Sequence, residues 1–392
     1  MRLGLTLTAT VFIALISSAP LGSAGISFDS HVIGSGLNAW YAVPADMDND
    51  GDMDVVSGGW QDNRVVWWEN DGNQSFTYRL ISESAGPIGI DVVDLDEDGD
   101  PDVLVALQSA NLVVWYENRG SGRFTEHSVH SLHSASFVHS ADLDSDGDMD
   151  VLAAACEQGS NKIAWYENDG SEIFTAHNIK EDWDHANSVV AGDVDSDGDL
   201  DVVATASRAA MGYGEIAWFE NDGNQRFTEH TLTTGWGMPS SVSAADLDLD
   251  GDTDILATVC FVHQLVWFEN DGEEAFTRHT ITEGFRRPHT VRVVDFDGDG
   301  DMDVLGAAIA SDEIAWFEND GRQGFSKHVV SETFDGATDV RPADLDGDGD
   351  LDLVTAGQYV EQVAWWENHR QHLSPRRVTT RRSPPRPDSD PR

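Results

Sequence analysis

Cysteine is nearly absent. The 392 residues contain two, Cys156 and Cys260. They fall at the same place in different sequence repeats, so two small buried residues are expected rather than a bridge. A disulfide-stapled fold is excluded, and something else must hold the chain. Basic residues are scarce too: Lys and Arg number 23 against 71 Asp and Glu, for a formal net charge of −48. That balance excludes nucleic acid and anionic membrane as default partners and points to bound cations. Long apolar runs are missing beyond the N-terminus, and no segment keeps a helical period. Hydrophobic content is ordinary at 40%, so a core is available despite the acidity.

The one apolar run lies at the start. Arg2, the stretch LGLTLTATVFIALIS and the small residues Gly22, Ser23 and Ala24 have the layout of a secretory signal cleaved before Gly25. The run falls short of the roughly 20 apolar residues of a membrane span. Residues 1–24 are therefore expected to direct export, leaving a secreted or cell-surface protein with no membrane insertion. Residues 369–392 carry seven Arg, two Asp and five Pro, a net of +5. A disordered basic tail is expected there.

Residues 25–368 are a repeat array. Seven acidic loops of pattern D-x-D-x-D-G-D-x-D begin at spacings of 48, 48, 51, 53, 49 and 49 residues. Their aspartates, at positions 1, 3, 5, 7 and 9, are Asp46, Asp48, Asp50, Asp52 and Asp54; Asp94, Asp96, Asp98, Asp100 and Asp102; Asp142, Asp144, Asp146, Asp148 and Asp150; Asp193, Asp195, Asp197, Asp199 and Asp201; Asp246, Asp248, Asp250, Asp252 and Asp254; Asp295, Asp297, Asp299, Asp301 and Asp303; and Asp344, Asp346, Asp348, Asp350 and Asp352. After each loop comes a Trp-x-Glu-Asn strand, as in VVWWENDG from 65, and then a Phe-Thr strand, as in FTEH from 124. With the strands entering and leaving the acidic loop, each repeat holds four strands. Four strands recurring about every 49 residues predict an all-β fold, a seven-bladed β-propeller with four-stranded blades. Repeat seven lacks its Phe-Thr strand, and an orphan copy, Phe28-Asp29-Ser30-His31, stands at the N-terminus. The N-terminal strand is therefore expected to complete the last blade and close the ring.

Carboxylates at positions 1, 3, 5 and 9 can converge on one point if the chain turns sharply at the glycine of position 6. Hard oxygen donors in that number suit calcium. Two carboxylates about 5 Å apart repel by ~3 kcal/mol at an effective dielectric near 20, so a bound divalent ion would relieve a large repulsion. The loops are not EF-hands. Position 12 holds Ser57, Val105, Ala153, Ala204, Ala257, Gly306 and Thr355, and the flanks read as strands.

The loop between the first two strands of a blade, repeated seven times, resembles the FG-GAP/VCBS repeat propellers, which include the integrin α-subunit head and many exported bacterial proteins. The resemblance covers residues 26–368. It implies that positions 1, 3, 5 and 9 supply side-chain oxygens and position 7 its backbone carbonyl. In the third loop these are Asp142, Asp144, Asp146 and Asp150, with the carbonyl of Asp148. It also implies about one structural calcium per blade, seven in all. The Phe-Gly…Gly-Ala-Pro wording is absent and a Trp-x-Glu-Asn strand stands instead. The likeness is thus to the bacterial type, and integrin-like adhesion does not follow from it.

Seven repeated tryptophans, Trp67, Trp115, Trp165, Trp218, Trp267, Trp316 and Trp365, read as packing between blades. The repeated His31, His127, His177, His230, His279 and His328 read as outer-strand hydrogen bonds. A ligand should sit where the repeats disagree, on the face opposite the acidic loops. Trp40, Tyr41, Trp60, Trp183, His185, Tyr213, Trp236, Phe261, His263, Phe285, Arg286, Arg287, His289 and Tyr359 collect there. Three residues before each acidic loop stand Val43, Asp91, His139, Val190, Ser243, Arg292 and Arg341, expected to face the central channel. His139, Arg292, Arg341, Asp91, Trp183, Trp236 and His289 are the candidate ligand residues. The arginines could form an anion site or simply neutralise nearby aspartates. The expected function is non-catalytic recognition of a glycan or protein by a monomer. The alternative is a uronate lyase at the channel mouth, with an arginine neutralising the substrate carboxylate and His139 as base.

Overall fold

In the computed structural model, residues 26–120, 122–156, 161–208 and 213–369 are described. The signal segment 1–24 and the basic tail beyond His369 lie outside them. One compact unit, Phe28–Asn368, holds all 28 described strands. The other, Met1–Ser27 with His369–Arg392, has only Ile26, Ser27 and His369 among the described residues.

The strands, β1 to β28 in chain order, form seven antiparallel four-stranded sheets. The first blade is β2 (Ala39–Ala45), β3 (Asp54–Gly59), β4 (Arg64–Asn70) and β5 (Phe76–Ser82). The last is β26 (Ala337–Ala343), β27 (Asp352–Gly357), β28 (Gln362–Asn368) and β1 (Phe28–Ser35). The strand from the chain's start therefore completes the final blade, with His31 opposite Trp365. The same register sets His127 against Trp115 and His177 against Trp165. The inner strands are β2, β6 (Pro87–Val93), β10 (Ala135–Ala141), β14 (Ala186–Gly192), β18 (Pro239–Ala245), β22 (Pro288–Val294) and β26, each against the next and β26 against β2. No helix occurs among the described residues.

Second strands such as β3 are buried along their whole length. The core lies between blades. Trp67 of the first blade packs among Val103 and Val105 of the second, and Trp165 of the third among Val202 and Phe219 of the fourth. The repeated tryptophans are about 1–2% exposed. In six blades the repeated histidine lies over the tryptophan ring, and its Nε2 meets the strand's glutamate at 2.6–2.9 Å. In the first blade Arg79 replaces it and donates to Glu69.

A second polar device links neighbouring blades. The asparagine ending each third strand donates from Nδ2 to a backbone carbonyl in its own acidic loop. In five blades it also donates to a carbonyl in the preceding blade's loop: Asn70 to Leu345, Asn118 to Met47, Asn168 to Leu95, Asn221 to Leu143 and Asn270 to Val194. These groups are buried, so a lost partner leaves a carbonyl unsatisfied. Asn270→Ala should lower unfolding free energy by about 2–4 kcal/mol, read as a fall in the urea midpoint with unchanged slope. An unchanged midpoint would remove the link between blades.

Candidate functional site

The acidic loop takes one geometry seven times. Positions 4 and 6 both lie at positive φ: Asn49 (57°) and Gly51 (96°) in the first loop, Leu249 (61°) and Gly251 (103°) in the fifth. Glycine suits position 6 because side chains are strained there. The position-6 N–H donates to Oδ2 of the position-1 aspartate at 3.0–3.2 Å in every loop. The position-7 N–H donates to Oδ1 of position 5.

The position-9 aspartate is a clamp. Its Oδ2 accepts from the N–H of position 2 at 2.8–3.2 Å. Its Oδ1 accepts from the N–H of the third-strand asparagine at 2.6–2.8 Å. The indole N–H of Trp67 turns toward Asp54 without closing a hydrogen bond of ordinary length. Burial, opposed by those hydrogen bonds, pushes Asp54, Asp102, Asp150, Asp201, Asp254, Asp303 and Asp352 up to about 7. Position 3 rises as well in six loops (Asp48, Asp96, Asp144, Asp195, Asp248 and Asp346), mainly through burial, with the neighbouring acidic side chains adding to it.

Oxygens of positions 1, 3 and 5 lie within 4.8 Å of one another in Asp46/Asp48/Asp50, Asp142/Asp144/Asp146, Asp193/Asp195/Asp197 and Asp246/Asp248/Asp250; in the second loop the trio is Asp94, Asp96 and Asp102. Oδ1 of Asp94, Asp142, Asp193 and Asp295 is buried with no hydrogen-bond partner. A buried carboxylate oxygen without a donor is costly. Three carboxylates so close together, with such oxygens among them, fit a hard divalent ion. The position-7 side chain does another job. It folds over the turn after the third strand, where a Cβ on Gly72 would meet Asp52 Oδ2 at 2.3 Å and one on Gly170 would meet Asp148 Oδ2 at 2.4 Å.

The variable column faces the channel, as its spacing predicts. Asp91, His139, Val190, Ser243, Arg292 and Arg341 line one cavity of about 250 Å³. Arg341 Nε donates to Asp339 Oδ2 at 3.0 Å, and Arg292 Nη2 stands 3.6 Å from Asp339 Oδ1. Asp339 is fully buried and also accepts from the N–H of Ala42. It is absent from the sequence-derived candidates because it sits two residues earlier in its strand than the column. The Asp91 carboxylate accepts from Ser140 N and Oγ at 2.9 Å and lies 3.6 Å from His139 Nδ1. Burial pushes His139 down, as it does Arg292.

His289 is elsewhere, at the channel end away from the acidic loops. With Trp40, Tyr41, Arg287, Met238 and Cys260 it lines a hollow of about 220 Å³. Its ring lies 5.3 Å from that of Trp40, and its Nδ1 meets the Thr338 carbonyl. Tyr213, Phe261 and Tyr359 are exposed on the same side. Both cysteines are free, Cys260 buried and Cys156 partly so.

Three expected surface aromatics are buried. Trp183 is 1% exposed, stands edge-on to Phe219 and donates its indole N–H to Glu215 at 2.8 Å. Phe285 is fully buried against Phe317. Tyr41 is buried too, beside Phe137. Trp183 and Phe285 belong to a repeated plug three residues before the inner strand, with Leu132, Trp236 and Phe334 at equivalent places. Backbone bonds to the hairpin between second and third strands pin them, as from Trp183 N to Asn161 O and Phe285 N to His263 O. Trp236 is half-buried in that role, with the Arg278 guanidinium 4.7 Å from its ring. Aligning that column would have exposed the repeat; aromatic character alone hid it.

A family profile described as FG-GAP-like repeat matches residues 46–105, 94–153, 142–204, 205–257, 263–306 and 295–355. No curated protein sequence matches the chain. Among solved structures it is similar to the Dos1 propeller, at 10% identity and TM-score 0.55, over 83% of this chain and 78% of that one. It also aligns with a protein described as a gluconolactonase, at 10% identity and TM-score 0.48, over 87% and 92%. Such identities bear on fold alone.

Without a divalent ion, the seven clamp carboxyls titrate near 7 in the ring against 3.8 for the free group. A raised folded value means the ring holds the proton more tightly than the unfolded chain. That stability is full below about pH 4 and is lost as pH rises through about 7. In EDTA the protein should melt higher at about pH 5 than at about pH 8 by scanning calorimetry, and the reverse order would contradict this.

Proposed function

The chain belongs to the FG-GAP-like repeat family, and from that premise we propose an exported recognition propeller. Each acidic loop holds one calcium ion, and a glycan or protein ligand binds on the opposite face. One observation carries this reading: the two ends of the ring differ in kind. At one end every blade repeats the same carboxylate loop. At the other, the second inner-strand residue changes from blade to blade: Trp40, Ile88, Ser136, Asn187, Ser240, His289 and Thr338. Repetition suits a structural part, and variation suits recognition.

The orphaned position-1 oxygens and the converging carboxylates support the ion. Calcium accepts six to eight oxygens in flexible geometry, whereas magnesium keeps more water. A site filled at 100 times its dissociation constant adds about 2.7 kcal/mol. Seven such sites would replace the cross-links that two free cysteines do not provide. Millimolar calcium outside the cell is in the range extracellular modules use. The hollow ringed by Trp40, His289 and Arg287 supports the ligand face, since aromatic and polar groups together suit sugar rings or a protein surface.

Three experiments follow. Millimolar calcium should raise the melting temperature well above its value in EGTA and cancel the acid preference of the chelated protein. Identical melting in both would remove the ions from the account. On a glycan array with calcium, binding should fall about ten-fold or more in Trp40→Ala and in Arg287→Ala, the latter, an exposed residue, at unchanged melting temperature. Variants that bind as the parent does would remove the proposed face. If a uronate polymer instead gains the ultraviolet absorbance of an unsaturated product, the lyase alternative replaces non-catalytic recognition.

A further inference from the structure

The channel cavity is separate from the loop-face hollow, and the polar groups in its largely apolar lining are ordered. Around the ring, the fifth residue of each inner strand gives Asp91 and His139 on one side and Arg292 and Arg341 on the other, with Ser243 beside Arg292 in chain order. A chain with 23 basic residues among 392 places two of them inside this channel.

Their donors are mostly unused by the protein. A guanidinium has five N–H groups. Arg341 spends its Nε–H on Asp339, and Arg292 gives one Nη1–H to the carbonyl of Val291. The Arg292–Asp339 approach at 3.6 Å is too long for a hydrogen bond. The two side chains are only 22% and 17% exposed, so bulk water reaches little of them. Free donors in that number, half-buried and facing the cavity, suit an acceptor with two oxygens, which a guanidinium fork binds well.

Charge selects among acceptors. Arg292 and Arg341 face Asp339 and Asp91, and burial disfavours a charge on His139. Two positive and two negative groups leave the cavity balanced, so a monoanion adds one charge and a dianion two. A carboxylate is therefore favoured over phosphate. At the other pole, His139 makes no hydrogen bond among the described residues, and Asp91 stands beside it. That pole suits a hydroxyl, which can donate to one group and accept from the other. The volume, about 250 Å³, is below that of most drug-sized pockets and limits the ligand to a small molecule or a chain end.

We propose that the channel binds a hydroxy acid, its carboxylate on Arg292 and Arg341 and a hydroxyl toward Asp91 and His139. The acid is either a free small molecule or the terminal uronate of a glycan. The site lies beyond the loop-face reading and does not require it.

Titration calorimetry on the full chain in calcium tests it, with glycerate, glucuronate, an oligouronate, glucose and sulfate as probes. At least one hydroxy acid should bind, glucose should not, and sulfate should bind about ten-fold more weakly. Arg292→Gln should weaken the acid about ten-fold or more in protein whose cooperative melting shows it folded, since Arg341 still holds Asp339 at 3.0 Å. Arg292→Lys, which keeps the charge but not the fork, should fall between. Arg287→Ala, at the loop-face hollow, should leave this binding intact, so failure there and failure here are separable. Binding of glycerate upholds a free acid, and binding of the oligouronate alone upholds a glycan end. Absence of heat with every acid, equal affinity for sulfate or glucose, or unchanged binding in Arg292→Gln would overturn the proposal.

Discussion

In every blade the last carboxylate of the acidic loop receives two backbone N–H groups, one from the loop's second residue and one from the end of the third strand. In the first blade these are Met47 and Asn70 on Asp54. The clamp joins the hairpin of the first two strands to the third. The same asparagine then reaches with its side chain to the preceding blade, as Asn70 does to Leu345. A chain of short polar contacts thus runs around much of one end of the ring, starting from charged groups that are almost completely buried. Burial disfavours those charges, and four further aspartates crowd each loop. The proposed ion answers both problems at once: it lets the carboxylates stay charged and turns their repulsion into attraction.

The division of labour between the two ends follows. The acidic end repeats, so each blade poses the same electrostatic problem, which the proposed ion would answer in the same way. The inner strands and the far end are free to vary, because the packing between blades rests on Trp67 and its equivalents further out. Variation has placed His289 and Trp40 at the far mouth and a charge-separated lining, Arg292 with Arg341 against Asp91 with His139, within the channel. A stiff frame with variable inner positions can hold such groups at fixed separations, which recognition requires.

Much of this was legible in the sequence because it repeats. Blade number, strand order and ring closure followed from the loop spacing and the orphan Phe28–His31, and the pairing of His31 with Trp365 bears out the closure. Histidine and tryptophan took the expected structural places for the same reason. What escaped was what one copy alone carries, or what depends on side-chain direction. Asp339 is the only acid at its inner-strand position, and its meeting with both arginines depends on how neighbouring strands curve around the channel. Trp183 and Phe285 look like surface aromatics until the backbone bonds that tuck them under the hairpins are seen. The position-7 carboxylates belong to the acidic pattern in sequence but lie over the next turn in space.

The central claim is that a cation sits in each blade's acidic loop, and counting ions tests it most directly. Native mass spectrometry of the intact protein, desalted gently from a calcium buffer, should show the polypeptide mass plus one calcium per blade. Successive Asp→Asn changes at position 1 of individual loops, beginning with Asp142, should each remove one ion. A spectrum of the bare polypeptide, or an ion count that ignores those substitutions, would contradict the account.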